Sequence, residues 1–495
     1  MVLNIDNQSG FLNDYHFQTL CLLYYPGEKF PPGESDAVNR ASFKVLAEEN
    51  DGVKSFTAEV TLAVGNRRES GFCRCDRRDF SFDADDAFAA QAAVGKAFLQ
   101  AGKRLFSFAP PWGYLTGLRP VKRARYYLER GFDDEAVLRL FTEDHEVAED
   151  KARLSIEIAK TETEMLKHDS PKDCGLYVAI PFCPTRCEYC SFVSYSNQKL
   201  FKTLPDYLVR LDEDLRRTAA VIKELGFNLK SVYIGGGTPS ILNDEQTAKL
   251  FNRITESFDL SKLKEFSYES GRPDTTTKEK LEIAKSFGVD RVSINPQSTN
   301  DTILERVGRK HTAKQFFEVA EIAKNVGFFS LNADLIAGLP GDSYDGFMKS
   351  LEDVIGLGFD NITVHTLSIK NAAPIRFDEA DIYDAAGDVA RSCVSAAGKR
   401  LREAGLSPYY LYRQKNTIGN AENTGFAISG KEGYYNVIMM EETSTVFACG
   451  ASAITKLVSP DGTVIDRIAF PKYPFEYLAA EQGIGEERIR RFYKD

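Results

Sequence analysis

Hydrophobic and polar positions alternate with a period of two over Ser42–Ala47 and again over Phe56–Val64, and the intervening Glu48–Val53 (EENDGV) carries the turn formers. This pattern predicts an antiparallel hairpin. From Asp85 to Leu105 the period lengthens. Val94, Phe98, Ala101 and Leu105 recur at i, i+4, i+7 and i+11, the spacing of one buried helical face, with Asp85 and Asp86 placed to suit its positive end. The segment Pro110–Pro120 (PPWGYLTGLRP) is punctuated by proline and glycine, and Val121–Leu166 is charged and helical in pattern. Residues 1–110 therefore read as an N-terminal α+β module and 111–172 as a helical connector.

From Gly175 onward, short apolar runs alternate with long amphipathic ones. The runs are Leu176–Ile180, Ser231–Ile234, Glu265–Glu269, Arg291–Ile294, Leu331–Ile336 and Asn361–Thr366, and stretches such as Leu204–Leu225 and Thr312–Val326 between them are long enough for crossover helices. Six such units predict an α/β fold with a parallel sheet over 173–406. Six is fewer than the eight of a closed barrel, so the expectation is an open or partial barrel with its reactive groups just after the C-terminal ends of the strands. Residues 407–495, rich in Tyr and Gly, do not continue the repeat and are expected to form a separate C-terminal cap on the substrate side.

Composition narrows the class. A chain of 495 residues predicts two to four domains, and 43% hydrophobic with 27% charged residues is ordinary globular usage. The 62 basic residues against 72 acidic ones leave a net charge of −10, which argues against wholesale capture of nucleic acid or an anionic membrane. The start lacks the basic and apolar regions of a signal peptide, and no uncharged apolar run nears membrane-span length. A soluble, cytoplasmic protein with no membrane span is expected.

Nine cysteines, an odd number without a secretion signal, argue against a disulfide framework. Three of them, Cys183, Cys187 and Cys190, crowd into Ile180–Ser196 (IPFCPTRCEYCSFVSYS), directly after the first predicted strand of the repeat. Three thiolates on one loop can hold three irons of a [4Fe–4S] cube and leave the fourth iron open to a small chelating ligand. The other readings are a structural zinc site, which wants four ligands, or three buried apolar thiols. His145 and His168, the nearest imidazoles in sequence, have no zinc-like spacing to the cysteines.

The remaining polar candidates fall at the same rim. Gly235-Gly236-Gly237-Thr238-Pro239 follows the second strand, and a run without side-chain bulk lets backbone approach a ligand closely, though it also suits a tight turn. Glu269 ends the third strand, Gln297 follows the fourth, and Asp334 lies within the fifth; each could meet the polar groups of a ligand, or be a surface residue, a helix cap or an ion-pair partner. Arg309, in ERVGRKHT, has a planar fork suited to a carboxylate, or belongs to a solvated basic run.

The spacing set as YVAIPFCPTRCEYC resembles the radical S-adenosylmethionine (SAM) superfamily. More closely, GGGTPS, ESGRPDT, SINPQS, GRKHT, DLIAGLPG, VHTLS, PYYLYRQKN with NTGF, and the N-terminal WGYLTGLRP resemble the oxygen-independent coproporphyrinogen III oxidase family in its HemZ-type branch. The resemblance implies a partial (β/α)6 barrel, a [4Fe–4S] cluster on Cys183, Cys187 and Cys190, and a SAM pocket lined by Tyr177, Tyr189, Gly236, Gly237, Thr238, Glu269, Gln297, Arg309 and Asp334, with Ser368 as a backbone contact. It implies oxidative decarboxylation of coproporphyrinogen III propionates to vinyl groups, with a low-potential electron donor such as flavodoxin or ferredoxin. For the propionates, Arg413 and Lys415, interleaved with Tyr409, Tyr410 and Tyr412, have the right chemistry, or the tyrosines are core.

Two positions depart from the oxidase pattern. Phe192 stands where that branch has a fourth cysteine, and Ala179 where it has histidine. A haem-binding chaperone on the same fold shares the Phe192 ending, but its His-Asn-x-x-Tyr-Trp motif is not apparent, since Tyr434-Tyr435-Asn436 runs into Val-Ile-Met-Met and the only tryptophan is Trp112. A radical SAM enzyme acting on another tetrapyrrole is the further alternative. The basic stretch Arg119–Arg125 reads as a solvated helix face, or as a dock for an acidic electron carrier.

Overall fold

The structure, a computed structural model, describes residues 1–494 except 32, 34–36, 81, 83, 118, 191–193, 370–372 and 374–383, with backbone alone at 198 and 384–386. Phe192 lies outside the described residues. The chain forms two compact units, one of Met1–Lys160 with Tyr412–Glu422, the other of Thr161–Leu411 with Asn423–Asp495. The first division falls inside the helix Glu149–Leu166, within the span expected to be a connector.

In the first unit, β1 (Val2–Asn7) lies parallel to β2 (Asn39–Asn50), which forms an antiparallel hairpin with β3 (Val53–Val64); β4 (Arg67–Asp76) completes the sheet. The expected hairpin is present, with a tighter turn. Asn50 pairs with Val53, so the loop is Asp51-Gly52 alone, both at positive φ (53° and 72°), the conformation whose twist matches paired strands. The helix Asp86–Phe106 packs on β3 and β4 and buries Val94, Phe98, Ala101 and Leu105, the face that the spacing predicts. Asp85 caps it, accepting from the Phe88 amide at 2.7 Å. Gly71 of β4 lets the helix come this close, since a Cβ there would fall 2.0 Å from the Ala97 carbonyl oxygen.

In the second unit the six expected strands are all found: β5 (Asp173–Ile180), β6 (Asn228–Gly236), β7 (Glu265–Gly271), β8 (Arg291–Ile294), β9 (Ser330–Ala337) and β10 (Asn361–Thr366). They are adjacent in chain order and parallel throughout. Amphipathic helices such as Leu204–Glu224, Asp244–Ser257 and Ala313–Val326 join them. This is the partial (β/α)6 barrel.

The residues after 407 do not stand apart as a cap. β11 (Ser407–Tyr412) and β12 (Asn423–Ala427) extend the sheet beyond β10, with β12 antiparallel to it. At the other edge β13 (Thr445–Cys449) lies parallel to β5, and β14 (Ile454–Val458) and β15 (Ile465–Ala469) follow antiparallel. A six-stranded parallel sheet left open would expose two rows of unpaired backbone groups, and these strands satisfy both.

All nine cysteines are free thiols. Among the described residues no helix is long and apolar enough to cross a membrane.

Candidate functional site

The cysteine loop leaves β5 directly and is tied at its base. The Cys183 amide donates to the Tyr195 carbonyl at 3.1 Å and the Tyr195 amide to the Pro181 carbonyl at 2.9 Å, while Phe182 packs edge-on to Tyr207 with centroids 5.2 Å apart. A tight turn brings the Cys190 amide to the Cys187 carbonyl at 3.1 Å. The outer side of the loop is clamped by backbone beyond β8, with Glu188 donating to the Val307 carbonyl at 3.1 Å and Thr185 to that of Gly308 at 3.4 Å. Arg272, almost fully buried, donates to Thr185 Oγ1 at 2.7 Å and forks onto Asp274 at 2.9 and 2.7 Å. The sequence reading quoted the ESGRPDT run but assigned Arg272 no role.

Cys183 and Cys187 are buried and Cys190 is half-buried. Burial pushes the Cys183 thiol up, opposed by the hydrogen bond from Thr238, whose Oγ1 donates to Sγ at 3.3 Å. The glycine run explains why Thr238 can come so near. A Cβ on Gly236, which has φ of 114°, would lie 2.9 Å from the Ile180 amide nitrogen, and one on Gly237 would lie 2.6 Å from the Phe182 carbonyl oxygen and 3.0 Å from Cys183 Sγ. Side chains are excluded there, so the loop can sit against the thiols.

Across the inner face of the sheet runs a polar ladder. Glu269 accepts from the Tyr233 hydroxyl at 3.0 Å and the Asn295 side-chain amide at 3.4 Å. Desolvation, the nearby Asp334 charge and limited help from Tyr233 leave its carboxyl pushed up to about 7. On the next strand but one, Asp334 accepts from Asn332 at 3.0 Å and faces His365 Nε2 at 3.5 Å. Burial works against its charge, but the hydrogen bonds of His365 and Asn332 win and hold it below the usual carboxylate range. Thr363 continues the ladder from Asn332 (3.4 Å) to the Tyr410 hydroxyl (3.2 Å).

Tyr177 joins a stack of three rings, 6.2 Å from Tyr233 and 6.3 Å from Tyr435, which are themselves 4.4 Å apart. Arg309 is buried and uses its whole fork on the protein: Tyr189 Oη at 2.9 Å, the Asn295 carbonyl at 2.7 Å and His311 Nδ1 at 3.3 Å. It thereby brings Tyr189 of the cysteine loop to the ladder. Gln297 adopts φ of 66° and is pinned to β9 through Asp334 (2.9 Å) and Ile336 (3.0 Å). Its Oε1 and Asn295 Oδ1 are buried acceptors without partners, which is costly unless a ligand donor meets them. Ser368 is buried just beyond β10.

The substrate candidates separate. Tyr410 belongs to the sheet unit and to the ladder, whereas Arg413 and Lys415 belong to the other unit. There Arg413 is buried, donates to the Leu115 and Gly117 carbonyls and lies 5.4 Å over the Trp112 ring, while Lys415 lies 4.0 Å over Tyr15. Tyr233, Asn295, Asn332, His365 and Tyr435 were not singled out from sequence. Asn295 sat within the quoted SINPQS run and Tyr233 shares the strand face of Gly235, so a face-by-face reading could have found both.

Ala179 is buried with Ala448 and Ala453, and Tyr177 and Phe470 pack against them. Tyr435 is part of the ring stack, and Asn436 donates to Tyr409 Oη at 3.0 Å, so the Tyr434–Asn436 run is employed inside the sheet unit.

Among the described residues, no three His, Cys, Asp or Glu side chains gather as a site for a metal ion. A cubane asks something else, one thiolate for each iron corner, and the loop offers three thiols beside a bulk-free cradle and two idle acceptors. The donor set fits a cluster with a small polar ligand.

The sequence model of the radical SAM superfamily matches residues 177–354, the strands and loops just described. The oxygen-independent coproporphyrinogen-III oxidase-like protein HemZ of Bacillus subtilis is 34% identical over 382 residues, 77% of this chain and 76% of that protein. The heme chaperone HemW of Haemophilus influenzae is 30% identical over 317 residues, 64% of this chain and 78% of its own. The structure of coproporphyrinogen III oxidase HemN from Escherichia coli aligns over 60% of this chain and 67% of that one, with a TM-score of 0.47 and 22% identity. The chain belongs to the radical SAM superfamily and, within it, to the oxygen-independent coproporphyrinogen III oxidase family in its HemZ-type branch. Its cofactors are a [4Fe–4S] cluster and SAM.

Proposed function

We propose that the protein catalyses oxidative decarboxylation of coproporphyrinogen III propionates to vinyl groups, working in the cytoplasm with a low-potential donor such as flavodoxin or ferredoxin. The observation that carries this reading is the pair of polar chains Tyr233–Glu269–Asn295 and Asn332–Asp334–His365 across the inner face, beside the three thiols, in a chain 34% identical over most of its length to a coproporphyrinogen oxidase-like protein. Cys183, Cys187 and Cys190 would hold the cluster. Gly236, Gly237 and Thr238 would present backbone to SAM, Glu269 and Asp334 would take its cationic and hydroxyl donors, Gln297 would offer its idle oxygen, and Tyr177 would give a ring face. Arg309 and Tyr189 would position the loop, with Ser368 at the margin.

Bound, these cofactors would supply, at the cost of one electron from the donor, a carbon radical able to take a hydrogen atom from a propionate β-carbon; loss of CO2 and of one electron, equal to the one the donor spent, would then leave the vinyl group. The chain's own part is to hold the reactants and exclude water. The Tyr177–Tyr233–Tyr435 stack supplies apolar faces, and Tyr410, linked to Asp334 through Thr363 and Asn332, is the candidate for contact with a propionate. With Arg413 donating to backbone carbonyls, the Tyr410 hydroxyl is the donor left to meet a propionate.

The second reading, haem trafficking on the same fold, is supported by the 30% identity to HemW. Anaerobic incubation of reconstituted protein with SAM, reductant and coproporphyrinogen III, followed by product mass, separates the two. Products lighter by one and two units of CO2 and two hydrogens support decarboxylation; cleaved SAM with unchanged substrate, or no SAM turnover together with stoichiometric haem binding, overturns it.

A further inference from the structure

Six of the nine cysteines lie outside the cluster loop, and of these Cys73 alone is not buried. It sits on β4 two residues from Cys75, so strand alternation puts both thiols on the face of Gly71, the face that the helix Asp86–Phe106 covers. Their sulfurs are 3.5 Å apart, which is contact distance. Neither thiol has any part in the radical site.

The two sulfurs differ in setting. Cys75 is 4% exposed and belongs to the core of the first unit, whereas Cys73 is half-buried at the rim of that core. The hydrogen bond to Cys73, together with burial, pushes the Cys75 thiol up, so Cys75 keeps its proton and is the donor. The same bond, helped by the Lys96 ammonium on the helix, holds the Cys73 thiol below its ordinary value although burial opposes it. Two carboxylates, Asp79 and Glu146, act against Lys96, and each has a partner of its own: the Asp76 amide donates to Asp79 at 2.8 Å, and Lys103 Nζ meets Glu146 at 2.6 Å. A half-exposed thiol beside a donor and a cation is the reactive kind, and a buried thiol in contact with it is sheltered from solvent but not from its neighbour.

We propose that Cys73 and Cys75 form a peroxide-reactive dithiol, with Cys73 as the nucleophile and Cys75 as the thiol that resolves it. The Cys73 thiolate attacks one oxygen of a hydroperoxide, the O–O bond breaks, and the other oxygen leaves as hydroxide or alkoxide and takes a proton from water; Cys73 is then a sulfenic acid. Cys75 attacks that sulfur, its proton and the sulfenic hydroxyl leave together as water, and an S–S bond closes. The two sulfurs lose two electrons and the peroxide gains them. Geometry makes the bond reversible. Strand residues i and i+2 have Cα atoms about 6.6–6.8 Å apart, the outer end of the ~4.4–6.8 Å that a disulfide spans, so closing it must shorten the strand. β4 can yield because it is the edge of its sheet, paired with β3 alone. A bond under such tension is readily reduced by a dithiol. The site lies wholly within the first unit and does not rest on the proposed decarboxylation.

The test is titration of the reduced full-length protein with hydrogen peroxide, alkylation of the remaining thiols, and tryptic peptide mapping by mass. Trypsin cuts after Arg74, so a Cys73–Cys75 bond joins Glu69–Arg74 to Cys75–Arg77 as one linked pair. That pair should form before the buried Cys21, Cys174, Cys393 or Cys449 is modified, and dithiothreitol should abolish it. Cys75→Ser should stop at a Cys73 sulfenic acid that dimedone captures, with the four buried thiols still unreacted, which shows that the variant is folded. Cys73→Ser should leave Cys75 a thiol. Lys96→Met should slow the reaction about fivefold, and Lys96→Arg should keep the native rate. The variant lacking Cys183, Cys187 and Cys190 should react at Cys73 as the native chain does, so this assignment and that of the cluster fail separately. Conversion of Cys73 to sulfinic acid without the linked pair, a Cys73 no faster than the four buried thiols, or dimedone capture at Cys75 in place of Cys73 overturns the proposal.

Discussion

The Tyr233 hydroxyl donates to Glu269 Oε2 at 3.0 Å, and Gly235, two residues along the same strand, leaves the space for that carboxylate, since a Cβ on Gly235 would lie 2.9 Å from the same oxygen. Strand periodicity puts ring and gap on one face, and the acid from the neighbouring strand fills it. The result is a carboxyl whose proton is held to about 7 by burial and by Asp334.

That proton has a consequence for stability. The folded-state value of about 7 lies above the unfolded 4.5, so the folded chain binds the proton more tightly. The contribution is fully present below pH ~4.5 and is lost as pH rises through ~7, by about 1–2 kcal/mol after allowance for the partial exposure of the group. Thermal melts of the cofactor-free protein between pH 5 and 8 should show this decline, and Glu269→Gln should flatten it.

Thr238→Val keeps the shape of the side chain and removes the donor to Cys183 Sγ. One such hydrogen bond is worth about 1 kcal/mol, so the thiol should lose some of the pull that opposes its burial. Iron and acid-labile sulfide retained after a chelator challenge should fall about fivefold, with the fold unchanged by circular dichroism.

Gly237→Ala should be worse than its single methyl suggests. The new Cβ would meet the Phe182 carbonyl oxygen at 2.6 Å and its amide nitrogen at 2.9 Å, backbone atoms that cannot swing away. A cost of about 1–3 kcal/mol is expected in chemical denaturation, together with loss of visible cluster absorption.

Arg309→Lys keeps the charge and loses the fork. A single ammonium cannot reach Tyr189 Oη, the Asn295 carbonyl and His311 Nδ1 together. The expected cost is about 2 kcal/mol, with faster protease cleavage within 183–190 as the local readout.

In the other unit, Glu422 is 1% exposed and accepts from Lys151 Nζ at 2.6 Å and Trp112 Nε1 at 3.0 Å. Lys151→Met strands that carboxylate and should cost about 3–5 kcal/mol in denaturant melts. Adding Glu422→Gln should recover part of the loss, because the stranded charge is then gone.

Much of this was legible in the chain because its signals are local. The six strands, the helix face at Val94–Leu105 and the cysteine loop each depend on spacing within a few residues, and sequence shows spacing directly. The two-residue turn at Asp51-Gly52 was visible too, though blurred into a longer loop.

By itself, then, the sequence determined which segments become strands, which loop carries the thiols and which family's chemistry they imply. Tertiary structure alone decided that Tyr435 completes a ring stack with Tyr177, that the strands after 407 extend both edges of the parallel sheet, and that Arg413 turns Nη1 to backbone carbonyls. It also decided that the Lys96 ammonium of the helix acts on the Cys73 thiol of β4. The physical reason is common to all four. Such contacts join residues tens to hundreds of positions apart, and they are set by how the elements pack rather than by any pattern within one element.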